Sequence, residues 1–178
     1  MFSLSRRRML SILDDALLLA QIDVGGEKLR SSPVSLGMAL RMAVERTAGF
    51  AESRNVRLNP LARGLGLVQG NEELLVRAFH ALLDTAVKFS EEGASVRLGY
   101  ESGAGSRSIV IESRGRTIPS PALARFFDIF SIGEALTPGG DLGLGPAVAY
   151  RIFLLFGGSV SVANVNGHGI RLTVALPP

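Results

Sequence analysis

His80 and His168 are the only imidazoles in the chain, and cysteine is absent. Thiolate nucleophiles, thiolate metal sites and disulfides are therefore excluded, and a reducing compartment is allowed. A histidine-based metal cluster would need carboxylates at ligand spacing around one of the two rings, and the sequence contains no such grouping. His80 follows Phe79 and precedes Leu83 by three residues, which puts it on the half-buried flank of a helix. A structural ring is the favoured reading there, with a general base as the competing one. His168 sits between Gly167 and Gly169 and reads as a solvated turn residue. The remaining polar and glycine positions of interest fall in three places: Thr85 and Lys88 on one helix, Ser113, Gly115 and Thr117 after an apolar strand, and Gly143-Leu144-Gly145 just before another helix. None is diagnostic alone, so the elements that carry them must be read first.

Leu10, Leu13, Leu17 and Ala20 recur at helical spacing, with Leu18 widening the stripe. Ser3 or Ser5 can cap this first helix, and Gly25-Gly26 ends it. Its stripe needs a partner, either the rest of the chain or a second copy. Pro33 and Ser35 open a second helix with Leu36, Leu40, Ala43, Val44 and Ala48 on one side, fading near Asn55. Val56–Leu58 and Leu67-Val68 read as short strands around a glycine-rich turn. Asn71 caps a strong helix from Glu72 to about Ser90, with Leu74, Leu75, Ala78, Leu82, Ala86 and Phe89 facing inward. Val96, Leu98 and Tyr100 alternate as in a half-buried strand, and Ile109–Ile111 returns after a Gly/Ser hairpin turn. A short helix is expected through Phe126 and Phe127. Residues 132 to 144 are glycine-rich and lack periodicity, as in a long mobile loop. Pro146 begins a helix that ends at Gly157-Gly158. Two final strands, Ser159–Ala163 and Ile170–Ala175, flank a turn. The fold class that follows is α/β: a two-layer sandwich of a mostly antiparallel mixed sheet with helices on one face, preceded by an N-terminal helix.

The chain has 178 residues, 47% hydrophobic and 20% charged, which suits one folded domain with a short appendage. The net charge of +3 and the 6% aromatic content give no basic surface interleaved with aromatics, so nucleic acid is not an expected partner. No stretch approaches the roughly 20 apolar residues of a membrane span. Arg6-Arg7-Arg8 is followed by Asp14 and Asp15, which no secretory core would tolerate, so the arginines read as a solvated first turn. A cytoplasmic chain without membrane contact of its own is expected.

The order of the pieces carries a resemblance. Leu82-Leu83-Asp84-Thr85-Ala86-Val87-Lys88-Phe89-Ser90 resembles the N box of the histidine-kinase ATP-binding domain, the GHKL type of ATPase fold. Glu112-Ser113-Arg114-Gly115-Arg116-Thr117-Ile118-Pro119 looks like its G1 box, and Phe127-Asp128-Ile129-Phe130 like its F box. Gly143-Leu144-Gly145, opening a helix that closes on Phe156-Gly157-Gly158, resembles its G2 box. Gly167-His168-Gly169 and Leu176-Pro177 match the closing strands. Each motif is weak alone; five in order, at family-like spacing, carry more weight together. The resemblance divides the chain into residues 1–32, a remnant of a dimerisation helix with its linker, and residues 33–178, a histidine kinase-like ATP-binding domain. The Gly-rich stretch 131–145 is expected to descend from the lid that closes over the phosphates.

The resemblance also implies a nucleotide site with parts missing. The family's second N-box Asn holds magnesium; Thr85 stands there, a shorter neutral ligand and only a weak metal anchor. The G1 Asp that accepts the adenine amino group is Ser113, and losing that charge costs roughly tenfold or more in affinity. The second G1 glycine is Thr117, and the closing Gly-x-Gly-Thr contact ends in Ile170. Asp141 would face the phosphates and repel them. The phosphate side survives in Lys88, Gly143, Leu144 and Gly145, with a helix N-terminus behind them; Gly115 also remains. ATP or ADP with Mg2+ is accordingly doubtful as a cofactor, and no catalytic residue is assigned. The family's phosphoacceptor histidine lies on the first dimerisation helix, and no histidine precedes His80. The expectation is a degenerate, pseudokinase-like domain in two-component signalling, dimeric through its N-terminal helix and engaging a response regulator or a sensor protein. An active protein-histidine kinase domain is the alternative. A phosphotransfer relay would need an acceptor in the N-terminal helices, where there is none.

Overall fold

The computed structural model describes residues 2–25, 31–61, 64–103, 105–129 and 143–178. Gly26, Phe130, Asp141 and all of the 131–145 stretch before Gly143 lie outside them, and the Ser3 and Ser5 caps rest on side chains that are also outside. Five helices and seven strands follow in the order α1 (Phe2–Gly25), β1 (Ser32–Ser35), α2 (Leu36–Ser53), β2 (Arg57–Asn59), β3 (Leu67–Gly70), α3 (Glu72–Phe89), β4 (Ser95–Gly103), β5 (Ser106–Glu112), α4 (Ser120–Leu123), α5 (Gly145–Leu155), β6 (Ser159–Asn164) and β7 (Ile170–Leu176) among these residues.

The main sheet runs β2-β4-β5-β7-β6. Only the β2–β4 pairing is parallel; β4–β5, β5–β7 and β7–β6 are antiparallel. A small second sheet pairs β1 with β3 antiparallel, Ser32 opposite Gly70 and Ser35 opposite Leu67. The expected sandwich is therefore present, with the N-terminal helix ahead of it.

α3 is the keystone, and its sequence explains why. Asn71 accepts the Leu74 N–H at 3.1 Å, Glu72 and Glu73 complement the positive end of the helix, and Lys88 complements the negative end. Eleven of its residues are buried, including Leu75, Phe79, Leu82, Leu83, Ala86 and Phe89. Phe79 meets Phe153 of α5 edge-on at 4.9 Å between ring centres. The alternation of β7, with Ile170, Leu172, Val174 and Leu176 buried, supplies the sheet side of the same core.

Two readings of local structure are corrected. Pro33 does not open α2: it lies in β1, and Ser35 is the cap, accepting the Met38 N–H at 3.3 Å. Pro33 holds the residue before it extended, which favours a strand over a helical turn. Phe126 and Phe127 are not helical either. The short helix is Ser120–Leu123, and the two rings follow it in a turn, where Phe126 is buried against Phe89 and Phe127 stacks on Tyr150.

α1 answers the question of its partner with two faces. Leu18 and Leu19 are buried, and Asp15–Arg77 at 2.7 Å and Asp23–Arg151 at 3.4 Å tie the helix to α3 and α5. Leu10, Leu13 and Leu17 remain 50%, 53% and 62% exposed. Among the described residues, no helix is long and apolar enough to cross a membrane.

Candidate nucleotide site

A cavity of about 680 Å³ opens between α1, α3 and the start of α5. Lys88, Gly143, Leu144 and Gly145 line it together with Ala81, Asp84 and His80 of α3. The far wall is α1, through Leu10, Ser11, Asp14 and Asp15. That wall is not legible from residue types, because nothing in a lone amphipathic stripe says where the helix docks.

Local geometry explains how α5 presents its end. Gly143 has φ of 62°, a left-handed turn that suits glycine, and the Val148 N–H then bonds the Leu144 carbonyl at 2.9 Å to start the helix. Pro146 follows at the first turn, where its missing N–H costs nothing. The N-terminal dipole end of an 11-residue helix thus faces the cavity beside the Lys88 ammonium. Lys88 also lies 3.9 Å from Asp84 and 6.0 Å from the Phe50 ring.

The other expected site residues are not on this cavity's lining. Thr85 is buried, and its hydroxyl donates to the Ala81 carbonyl at 2.8 Å, a bond back along its own helix. Ser113 is buried, and its Oγ accepts the Ile170 N–H at 3.4 Å. Ile170 is fully buried in the sheet. Gly115 is stitched to the end of α3: it bridges Ser90, and the neighbouring Arg116 N–H reaches the Phe89 carbonyl at 2.9 Å. A Cβ at Gly115 would sit 2.5 Å from both Phe89 O and Glu91 N, so only glycine allows this approach. Thr117 is half-buried next to Ile118, whose N–H and carbonyl both bond the Asn164 side chain at 2.8 Å.

His80 stands where the sequence placed it, half-buried, with Nδ1 2.8 Å from Thr47 Oγ1. Burial lowers its pKa, and Arg46 and Lys88 add to that while Asp84 and Asp15 oppose it. His168 is exposed in its glycine turn. Among the described residues, no three His, Asp or Glu side chains come together as a metal site.

Residues 70–178 match the family described as histidine kinase-, DNA gyrase B- and HSP90-like ATPases. This chain belongs to that family. Among curated relatives of this ATPase domain, the sensor protein DivL of Caulobacter vibrioides is 29% identical over 93% of the chain and 21% of DivL. The alginate biosynthesis sensor protein KinB of Pseudomonas aeruginosa is 28% identical over 96% of the chain and 28% of KinB. The chain spans only about a fifth to two fifths of the length of such relatives, CutS of Streptomyces coelicolor being matched over 40% of its length. Of solved structures, the mycobacterial sensor histidine kinase MprB superposes with a TM-score of 0.64 at 27% identity, covering 83% of this chain and 97% of that one. Full-length ShkA in complex with AMPPNP gives 0.74 at 24% identity, over 95% of this chain and 35% of that one, a likeness of fold. The domain is thus of the histidine-kinase ATPase type found in two-component sensor kinases.

Proposed function

We propose that this ATPase-family domain has lost its grip on the purine and the metal, holds ATP or ADP with Mg2+ weakly or not at all, and works in two-component signalling as a protein-interaction module. The observation that carries the reading is the state of the base-side and metal-side positions. Thr85 spends its hydroxyl on the Ala81 carbonyl, Ser113 spends its oxygen on the Ile170 N–H, and Ile170 is a buried alkyl group. No carboxylate or amide stands at any of the three. Retargeting them would cost the bonds they now make as well as the missing charge.

Such a module would engage a response regulator or a sensor protein in the cytoplasm. It would associate as a homodimer along the exposed Leu10, Leu13 and Leu17 stripe of α1, which a second copy can cover. Residues 1–32 then serve as the dimerisation remnant and 33–178 as the domain it presents.

One observation favours the alternative, an active ATP-binding domain of a protein-histidine kinase: Lys88 and the α5 N-terminus still share one cavity. Calorimetric titration with ADP and ATP, with and without magnesium, separates the two. Absence of heat at millimolar nucleotide is the expected result. Micromolar, magnesium-dependent binding would overturn the degenerate reading in favour of the kinase. The Thr85→Asn, Ser113→Asp double variant tests the cause; restoring both groups is expected to raise affinity by about tenfold or more.

A further inference from the structure

The cavity contains one nucleophilic nitrogen that the reading above leaves unused. Thr47 is fully buried, and its hydroxyl donates to the Ala43 carbonyl at 2.9 Å. Its oxygen, 2.8 Å from His80 Nδ1, is therefore left to accept from the ring. That puts the imidazole proton on Nδ1 and the lone pair on Nε2. Nε2 makes no hydrogen bond to a described residue, and among the described residues the buried side-chain nitrogen left without a partner is Arg107 Nε, not this one. The half-buried ring lines the cavity that also holds Lys88 and the α5 N-terminus. A nucleophile oriented by a neighbour, in one cavity with a cation and a helix N-terminus, is an arrangement suited to phosphoryl transfer to nitrogen.

We propose that His80 Nε2 is a phosphoryl acceptor, taking the group from a nucleoside triphosphate or from an acyl phosphate. The Nε2 lone pair attacks phosphorus and a P–N bond forms. The bond from phosphorus to the leaving atom breaks, and the nucleoside diphosphate, the carboxylate or, where phosphoramidate is the probe, ammonia departs with the electron pair. Nε2 carries no proton, so none has to be removed before attack. Nδ1 keeps its proton in the bond to Thr47, which steadies the positive charge that develops on the ring. Lys88 and the first turn of α5 neutralise the phosphoryl oxygens. Burial keeps the ring in its neutral, nucleophilic form; Arg46 and Lys88 reinforce this, and the Asp84 and Asp15 carboxylates act against it. Asp14, Asp15 and Asp84 line the same cavity, and of these Asp15 is paired with Arg77 and Asp84 with Lys88, so that they present less charge to an incoming phosphate. The acceptor lies in α3, not in the N-terminal helices where a relay reading of the sequence would seek it.

The test is incubation of the intact chain with phosphoramidate, acetyl phosphate or Mg-ATP in separate arms. Intact mass and peptide fragmentation read the product, and acid lability identifies a P–N bond. Lysine and arginine also form acid-labile P–N bonds and the chain has 19 of them, so fragmentation, not lability, assigns the labelled residue. Uptake of one acid-labile phosphoryl group on His80 from any donor is the expected result, retained in His168→Gln and lost in His80→Gln. Fragmentation of the labelled unmutated chain locates the group even if His80→Gln fails to fold. Thr47→Val is expected to slow uptake roughly tenfold, the effect of one lost orienting hydrogen bond. Labelling confined to His168, labelling unchanged in His80→Gln, or no labelling of folded protein by any of the three donors would overturn the proposal. Labelling by the small donors but not by ATP leaves weak nucleotide binding standing beside it. Labelling by ATP supports the acceptor and overturns weak binding.

Discussion

At His80, burial sets the direction of a pH effect on stability. The folded ring titrates below its ordinary value of 6.5, first because it is buried. The unfolded chain, with the ordinary value, therefore binds more protons as pH falls below that point. Stability from this residue is complete above the unfolded value and is lost as pH falls through it towards the folded one. Asp84 and Asp15 soften the loss, and Arg46 and Lys88 deepen it. Thermal midpoints taken from about pH 7.5 to about pH 5.5 are expected to fall with acidification, and more steeply than in His80→Gln. An equal slope in the two proteins would mean that other groups carry the effect. A close backbone approach elsewhere makes a second prediction. Gly169 has φ of 136°, and a Cβ there would overlap the Ser113 carbonyl oxygen. Neither the conformation nor the space tolerates alanine, so Gly169→Ala is expected to cost several kcal/mol, on the order of 3, and to abolish cooperative melting or lower its midpoint sharply. Asn71→Ala loses only the α3 cap, about 1 kcal/mol, and a midpoint drop of roughly 3 °C is expected.

At the scale of elements, the patterns that proved readable are those carried by one local period. α3 shows its cap, its apolar stripe and its stop within a single stretch, and the structure has it at Glu72–Phe89. β4, β5, β6 and β7 announce themselves by alternation or by short apolar runs between turn residues. β1 was not legible, since its four residues, Ser32–Ser35, are a strand only because Leu67–Gly70 pairs with them across 30 residues and more of chain. The two phenylalanines after α4 misled for a different reason. Large apolar residues in a turn look like a helix face when the ring they bury against, Phe89, belongs to a distant segment. α1 tests the difference between a stripe and its docking. Leu18→Ala with Leu19→Ala removes the alkyl groups that hold the helix to the domain, each deletion costing about 2–5 kcal/mol if the site cannot collapse. Protease sensitivity within α1 is expected to rise while the melting of residues 33–178 changes less. Full protection of α1 in that variant would show that Asp15–Arg77 and Asp23–Arg151 suffice to hold it.

For the whole molecule, the cavity is a product of assembly. Lys88 and Gly143 could be picked out from their types and order, yet the wall they face comes from Asp14, Asp15 and Leu10 of α1, more than 60 residues away in sequence from Lys88. Residue type is local, whereas docking is decided by which faces of three helices bury best together, and no single segment encodes that. The same helix carries the last prediction. α1 turns Leu18 and Leu19 inward and leaves Leu10, Leu13, Leu17 and Met9 at the surface, the last at 65% exposure. A continuous apolar stripe of this kind favours self-association, and a second copy offers an identical stripe related by a two-fold axis. Because binding to the folded state stabilises by mass action, the thermal midpoint of the wild-type chain is expected to rise with protein concentration. Leu13→Lys with Leu17→Lys places two charges in the seam without touching the buried face. That variant is expected to sediment as a monomer at every concentration, with a concentration-independent midpoint equal to that of dilute wild type. A wild-type chain that sediments as a monomer up to the highest soluble concentration would leave the stripe without a second copy to cover it and remove the dimer from the proposed function.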